Sequence, residues 1–297
     1  MISVSRNSGQ VSWFYIDLLN YNIMKTTMIL LPVIAICQAA GAQSLRYPLS
    51  APAGGLGAYS STQKDALSFT GNPAALADAK ETCAGIYGER RFLPGGPAFY
   101  MGGLALPLRV GGLGVQFGYA GVRDFNEKRI GVAYARQAGK KLGIAAGFGY
   151  YNYKIPGYRG GSAFTTELGI LLHLTAKLHA GMHVDNPVGG KLRKDKVYKL
   201  SPVYKFGLGY DVSEHFFTAA EVQKEESKSA FITAVLQYRY AKKMVAGLGI
   251  ISTPATWFCS AGYSLGKLRL SVSVSLHPQL GISPGLMLSY HFTTGRS

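Results

Sequence analysis

Charge is scarce in this chain of 297 residues: Asp, Glu, Lys and Arg make up 15% of it, against about 25% in soluble proteins. So little charge is a poor match to a large water-facing surface. Cysteine is scarcer still. Of the three, Cys37 lies in an N-terminal apolar stretch, and Cys83 and Cys259 are far apart with no CxxC or metal spacing. This excludes zinc frameworks and redox pairs, and both residues are expected to be free thiols. Long apolar runs are missing as well. The longest, Met28 to Cys37, is too short to span a bilayer as a helix, which needs about 20 residues. A helical membrane protein is therefore excluded. Nucleophile motifs and usefully spaced carboxylate pairs are absent, so no enzyme is expected. The glycine-rich pieces Gly111-Gly112-Leu113-Gly114 and Gly189-Gly190-Lys191 lack the GxxxxGK[ST] spacing of a phosphate cradle.

What is abundant is glycine, 38 residues, together with 19 tyrosines and 14 phenylalanines. From Thr82 onward these fall into a period-two pattern. Leu268, Leu270, Val272, Val274 and Leu276 alternate with Arg269, Ser271, Ser273, Ser275 and His277, so one face suits lipid and the other does not. Likewise Leu113, Val115, Phe117 and Tyr119 alternate with Gly112, Gly114, Gln116 and Gly118. About fourteen such strands can be placed, the fourth starting near Arg129 and the sixth near Ala163. At roughly ten residues per tilted strand, fourteen fill Thr82 to Phe292 with short connections. These connections alternate along the chain between short turns and longer loops such as Ile155–Gly161 and Asn186–Leu200. The fold class is therefore all-β: a transmembrane antiparallel β-barrel of about 14 strands with a short helical N-terminal plug segment.

Residues 24–42 read as a secretory signal peptide: basic Lys25, the apolar run, then Ala40-Gly41-Ala42 as a small-residue site, with cleavage near Ala42/Gln43. Residues 1–23 read as an upstream extension from a mis-assigned start. Residues 43–81 form the plug segment, 82–292 the barrel and 293–297 a C-terminal tail. The location implied is the bacterial outer membrane, with outer-membrane lipid and lipopolysaccharide as surroundings.

Thr62 to Lys80 is the main helical candidate in the mature chain. Thr62 with Asp65 has capping-box spacing, and Asn72 before Pro73 is a second helix start. Two short helices are predicted. They are Ala-rich and have too few large apolar groups to form a core alone, so they must lie against the barrel.

Along the seventh strand, Lys177, His179, His183 and Asp185 make a polar row facing the lumen. His179 and His183 at i and i+4 of a strand are about 13 Å apart, too far for one metal ion, so no metal site is expected. Glu167 and Glu221 also face inward, within reach of Arg129, Arg269 or Lys177. The formal net charge of +16 raises the question of nucleic acid. Its densest cluster, Lys191, Arg193, Lys194, Lys196 and Lys199, sits in one loop without a stacking platform or recognition helix. Anionic lipid headgroups explain it without a nucleic-acid partner.

The stretch DALSFTGNPAALA resembles the plug motif of FadL-like outer-membrane barrels, with Asp65, Asn72, Pro73 and Ala74 at the matching positions. Its closest likeness is to the Bacteroidota PorV/PorQ group. GMHVDNPVGGKL, where Asn186-Pro187 closes a strand, is similar to a recurring segment of that group. The last strand, GLMLSYHF, resembles the C-terminal strand signal of outer-membrane barrels. The resemblance implies a fourteen-stranded barrel with the N-terminal segment in its lumen. It also implies a non-enzymatic role accessory to type IX secretion or envelope assembly, through contacts with secretion-system proteins. The alternative it implies is a FadL-like channel for small hydrophobic molecules, with Phe69, Leu76, Phe217 and Phe258 lining the ligand. No cofactor is implied by either.

Overall fold

The structure is a computed structural model, and it describes residues 56–292 apart from Gly157, 192–198, Ser227 and Lys242. The upstream extension, the signal peptide, residues 43–55 of the plug segment and the C-terminal tail lie outside the described residues. So do the side chains of the basic cluster between Lys191 and Lys199.

Sixteen strands are described: β1 Cys83–Arg90, β2 Ala98–Pro107, β3 Gly112–Gly121, β4 Asn126–Ala138, β5 Leu142–Ile155, β6 Tyr158–His173, β7 Leu178–Asp185, β8 Gly190–Lys191, β9 Lys199–Leu200, β10 Val203–Asp211, β11 Phe216–Glu225, β12 Phe231–Tyr240, β13 Met244–Ser252, β14 Ala255–Leu265, β15 Leu268–His277 and β16 Gly281–His291. Fourteen of them close into an antiparallel barrel, and β8 and β9 pair apart as a small ribbon between β7 and β10. The seam is β1 on β16, from Cys83 opposite His291 to Glu89 opposite Gly285. Closure leaves no sheet edge, the condition a strand protein must meet to sit in lipid.

Alternation decides which side chains face out. On β15, Val272 is 52% exposed while Ser271, Ser273 and Ser275 are buried. The apolar outer face is flanked by exposed aromatics at both ends of the strands. Tyr134, Tyr210, Tyr238, Tyr263 and Tyr290 lie toward the end that carries the chain termini of the barrel; Tyr100, Tyr150, Phe164, Tyr204 and Trp257 lie toward the other. Two aromatic girdles around an apolar band are the signature of a membrane-spanning barrel. Among the described residues, no helix is long and apolar enough to cross a membrane.

Two expectations change. The predicted loop Ile155–Gly161 is instead the tip of a long hairpin: β6 starts at Tyr158, and Ile155 pairs with Tyr158 past a bulge. The strand pairing continues there through polar residues such as Asn152 and Ser162, so the ladder outlasts the hydrophobic pattern that marks it. For the same reason β4 begins at Asn126 rather than near Arg129. The plug segment also differs, because its turns are 3-10 rather than α: Leu56–Tyr59, Ser68–Thr70 and Pro73–Asp78. Pieces of three to six residues are too short to repay α-helix nucleation, and wall contacts hold them instead.

Candidate functional site

The plug segment lies on the inner faces of β2 to β7, β10 and β11, toward the barrel end that carries the start of β1 and the end of β16. It is seated on glycine. At Gly207 a Cβ would lie 2.3 Å from the Tyr59 ring, and at Gly112 it would lie 2.3 Å from the Leu76 carbonyl oxygen. Any larger residue at either position would lift the segment from the wall.

Asn72 caps the third turn. Its Oδ1 accepts from the Ala74 N–H at 3.0 Å, and Pro73 takes the first position of that turn. The Asn72 amide also donates to the Ile170 carbonyl at 3.0 Å, which ties the cap to β6. Ala74 is fully buried against the wall. Asp65 plays a local part: its Oδ1 accepts from the Leu67 N–H at 2.9 Å and from the Ser68 hydroxyl at 3.0 Å. Burial pushes its carboxyl above the ordinary range, against those two bonds. The predicted capping box from Thr62 does not form. The Thr62 hydroxyl turns to Asp211 at 3.2 Å, because that carboxylate also gathers Ser60 and Ser61 from the same run.

The polar row divides. His179, His183 and Asp185 are buried and face inward, but Lys177 is exposed in the turn before β7, with its ammonium on the Val212 carbonyl at 3.2 Å. Inward parity does not reach a residue beyond the end of the strand. Asp185 accepts from Arg129 at 3.0 Å, and the same guanidinium bonds Glu167. His183 faces the other Glu167 oxygen at 3.4 Å. Glu221 takes different partners from those expected: the Tyr59 hydroxyl at 2.6 Å and Lys205 at 4.0 Å. Asn186, with φ 58°, closes β7 in a turn where its carbonyl accepts from the Gly189 N–H at 3.0 Å. Among the described residues, no group of three or more His, Cys, Asp or Glu is placed to hold a metal ion. Cys83 and Cys259 are both free.

Phe69, Leu76, Phe217 and Phe258 are all buried, but they fall into two clusters rather than one. Phe69 and Leu76 pack with Cys83 and Ala105, whereas Phe217 and Phe258 pack with Tyr59, Val235 and Ile251. The second cluster reaches the wall. There a recess of about 510 Å³ is lined by Leu236, Leu248, Ile250, Trp257 and Leu276 of the outer face and by Val235 and Phe258 of the inner one.

Three anchoring residues escaped the sequence reading. Tyr59, His173 and Asp211 each sit at the edge of a recognised element. For His173 the signal was present, since it keeps the inward parity of Leu171.

Fold and site together define a transmembrane β-barrel with its own N-terminal segment packed into one end of the lumen. Solved structures that share this architecture include the CymD monoaromatic hydrocarbon channel, with TM-score 0.58 and 13% identity over 81% of this chain and 97% of that one. A Pseudomonas aeruginosa FadL homologue matches with TM-score 0.56 and 12% identity over 84% and 100%. The P. putida toluene transporter TodX matches with TM-score 0.53 and 11% identity over 74% and 92%. At such identities the likeness is one of fold. No protein-family model matches the chain, and no curated protein matches it in sequence.

Proposed function

We propose that this chain is a channel of the bacterial outer membrane for small hydrophobic molecules. The observation that carries this reading is one packed apolar cluster. It joins Val235 and Phe258, which line the recess at the lipid-facing wall, with Ile251 and Phe217 and with Tyr59 and Leu56 of the plug. A polar solute gains nothing among such side chains, whereas a hydrocarbon stays out of water there. The names of the structures of similar fold, a monoaromatic hydrocarbon channel and a toluene transporter among them, support the same reading. In this role Phe217 and Phe258 line the inner stretch, whereas Phe69 and Leu76 pack in the separate cluster with Cys83 and Ala105 and lie off it.

The accessory role in type IX secretion, implied by the PorV/PorQ resemblance, finds no counterpart among these structures, so the channel reading replaces it. Native mass spectrometry of the detergent-purified barrel is the test, with toluene added as the probe, together with glucose uptake into proteoliposomes. Toluene retained by the native barrel and lost in Phe258→Arg, with glucose excluded throughout, supports the channel. An intact complex with other envelope proteins and no bound toluene would overturn it.

A further inference from the structure

Four side chains form an unbroken line from the plug across two strands to a third. Asp78 Oδ2 on the plug meets His173 Nε2 of β6 at 2.9 Å. The Nδ1 of His173 meets the Nδ1 of His179 on β7 at 2.7 Å, and His179 Nε2 meets Asp211 Oδ2 of β10 at 3.2 Å.

Counting hydrogens along this line gives a definite number. A carboxylate only accepts, so each Nε2 must carry a hydrogen. Two ring nitrogens 2.7 Å apart need one hydrogen between them. Three hydrogens therefore occupy four ring nitrogens, one more than two neutral imidazoles carry. With that proton gone, two lone pairs face each other, or one ring turns a lone pair to its carboxylate. With a fourth proton, two N–H groups collide.

We infer that His173 and His179 form a binding site for a single shared proton, and that this proton latches the plug to the barrel wall. Charge supports the inference. Asp78 also accepts from the Lys64 ammonium at 2.7 Å, so Asp78, Asp211, Lys64 and the singly protonated pair sum to zero. The cavity that the pair borders is also lined by Asp65, by Lys80 and by Glu81, which is paired with His291 at 2.8 Å. Gln137 of β4 donates to Asp78, and Ser60, Ser61 and Thr62 of the plug donate to Asp211. Arg239 of β12 bonds the Thr62 carbonyl at 2.9 Å. Lys141 and Lys177 turn to the Leu174 and Val212 carbonyls. Two inward positions along β7 from His179, His183 faces Glu167. The inference does not depend on which molecule passes through the barrel.

The latch borders a cavity of about 650 Å³ that Cys83 also lines, so the thiol reports on plug release. The experiment uses the full-length barrel in micelles, with Cys37→Ser and Cys259→Ser leaving Cys83 as the sole thiol. Imidazole nitrogen NMR across a pH series should show a state with three N–H groups on the pair and a coupling across the Nδ1 to Nδ1 hydrogen bond. Raising the pH until the shared proton is lost turns a ring lone pair toward Asp78 or Asp211, so Cys83 labelling should rise by roughly tenfold more than in His173→Gln or His179→Gln, beyond the thiolate increase common to all three, the change expected for one lost charge-assisted hydrogen bond. Two neutral rings that titrate independently would overturn the inference. So would Cys83 labelling that changes alike in the native barrel and in both variants.

Discussion

The Tyr59 hydroxyl donates to Glu221 at 2.6 Å, joining the first turn of the plug to β11, 162 positions later in the chain. The pair is buried on both sides. Burial, with the Glu221 charge beside it, holds the phenol well above its ordinary value. Spectrophotometric titrations of the native folded barrel and of Tyr59→Phe should therefore differ by one phenol that ionises above the ordinary tyrosine range. Tyr59→Phe removes the donor and leaves Glu221 with Lys205 alone, at 4.0 Å. Loss of a hydrogen bond to a buried charge costs about 1.5 to 3 kcal/mol, and protease cleavage of the plug segment should accelerate accordingly.

Gly207 supports the same ring from below. A methyl group there would come 2.3 Å from it, which is closer than side-chain movement alone can relieve in a ring bonded at its far end. Gly207→Ala should unseat the plug at about 1 to 3 kcal/mol, the usual cost of overpacking, while the strand pairing of β7, β10 and β11 survives. Planar-bilayer recordings should then show higher conductance from a barrel that still migrates as folded on unboiled gels. A normal conductance would mean that Tyr59 does not close the path.

The barrel was legible in the sequence because each lipid-facing strand writes its two faces as alternating letters. Val272 against Ser273 is enough to show the lipid side. The plug turns were placed through Asn72 and Pro73, whose capping chemistry is local. What stayed hidden depends on contacts between distant positions. Nothing near Tyr59 names Glu221 or Gly207 as its partners, and nothing near His173 names Asp78 and His179. Composition also misjudged space. A serine facing inward reads as open polar lumen, yet Ser273 is only 3% exposed.

That burial changes what substitution at β15 should do. Val272→Arg puts a charge in the apolar band and should cost about 2 to 4 kcal/mol in refolding titrations with lipid vesicles. Ser273→Arg, on the inner face, has no lipid penalty but must find room among packed neighbours. Ser273→Thr is therefore the proper control, and it should cost well under half as much as Val272→Arg. Equal losses at Val272→Arg and Ser273→Thr would remove the case that Val272 faces lipid.

Asp65 and Asp78 make opposite demands on pH, although both belong to the plug segment. Burial works to raise the Asp78 carboxyl, but the bond from His173 and the Lys64 ammonium more than offset it and hold the group well below the ordinary range. Its contribution is complete above the unfolded value of about 4 and is lost as pH falls through the lower folded value. Asp65 is held above the ordinary range, so the folded state binds its proton more tightly than the unfolded chain does. Its charge therefore weakens the plug at neutral pH, and that loss is recovered as pH falls through the raised folded value toward about 4. Asp65→Asn keeps an oxygen for the Leu67 N–H and discards the charge, so protease protection of the plug at pH 7 should hold or improve. Asp65→Ala loses both local bonds and should weaken protection by about 1 kcal/mol. Equal weakening in the two variants would show that the Asp65 charge is itself needed to seat the plug.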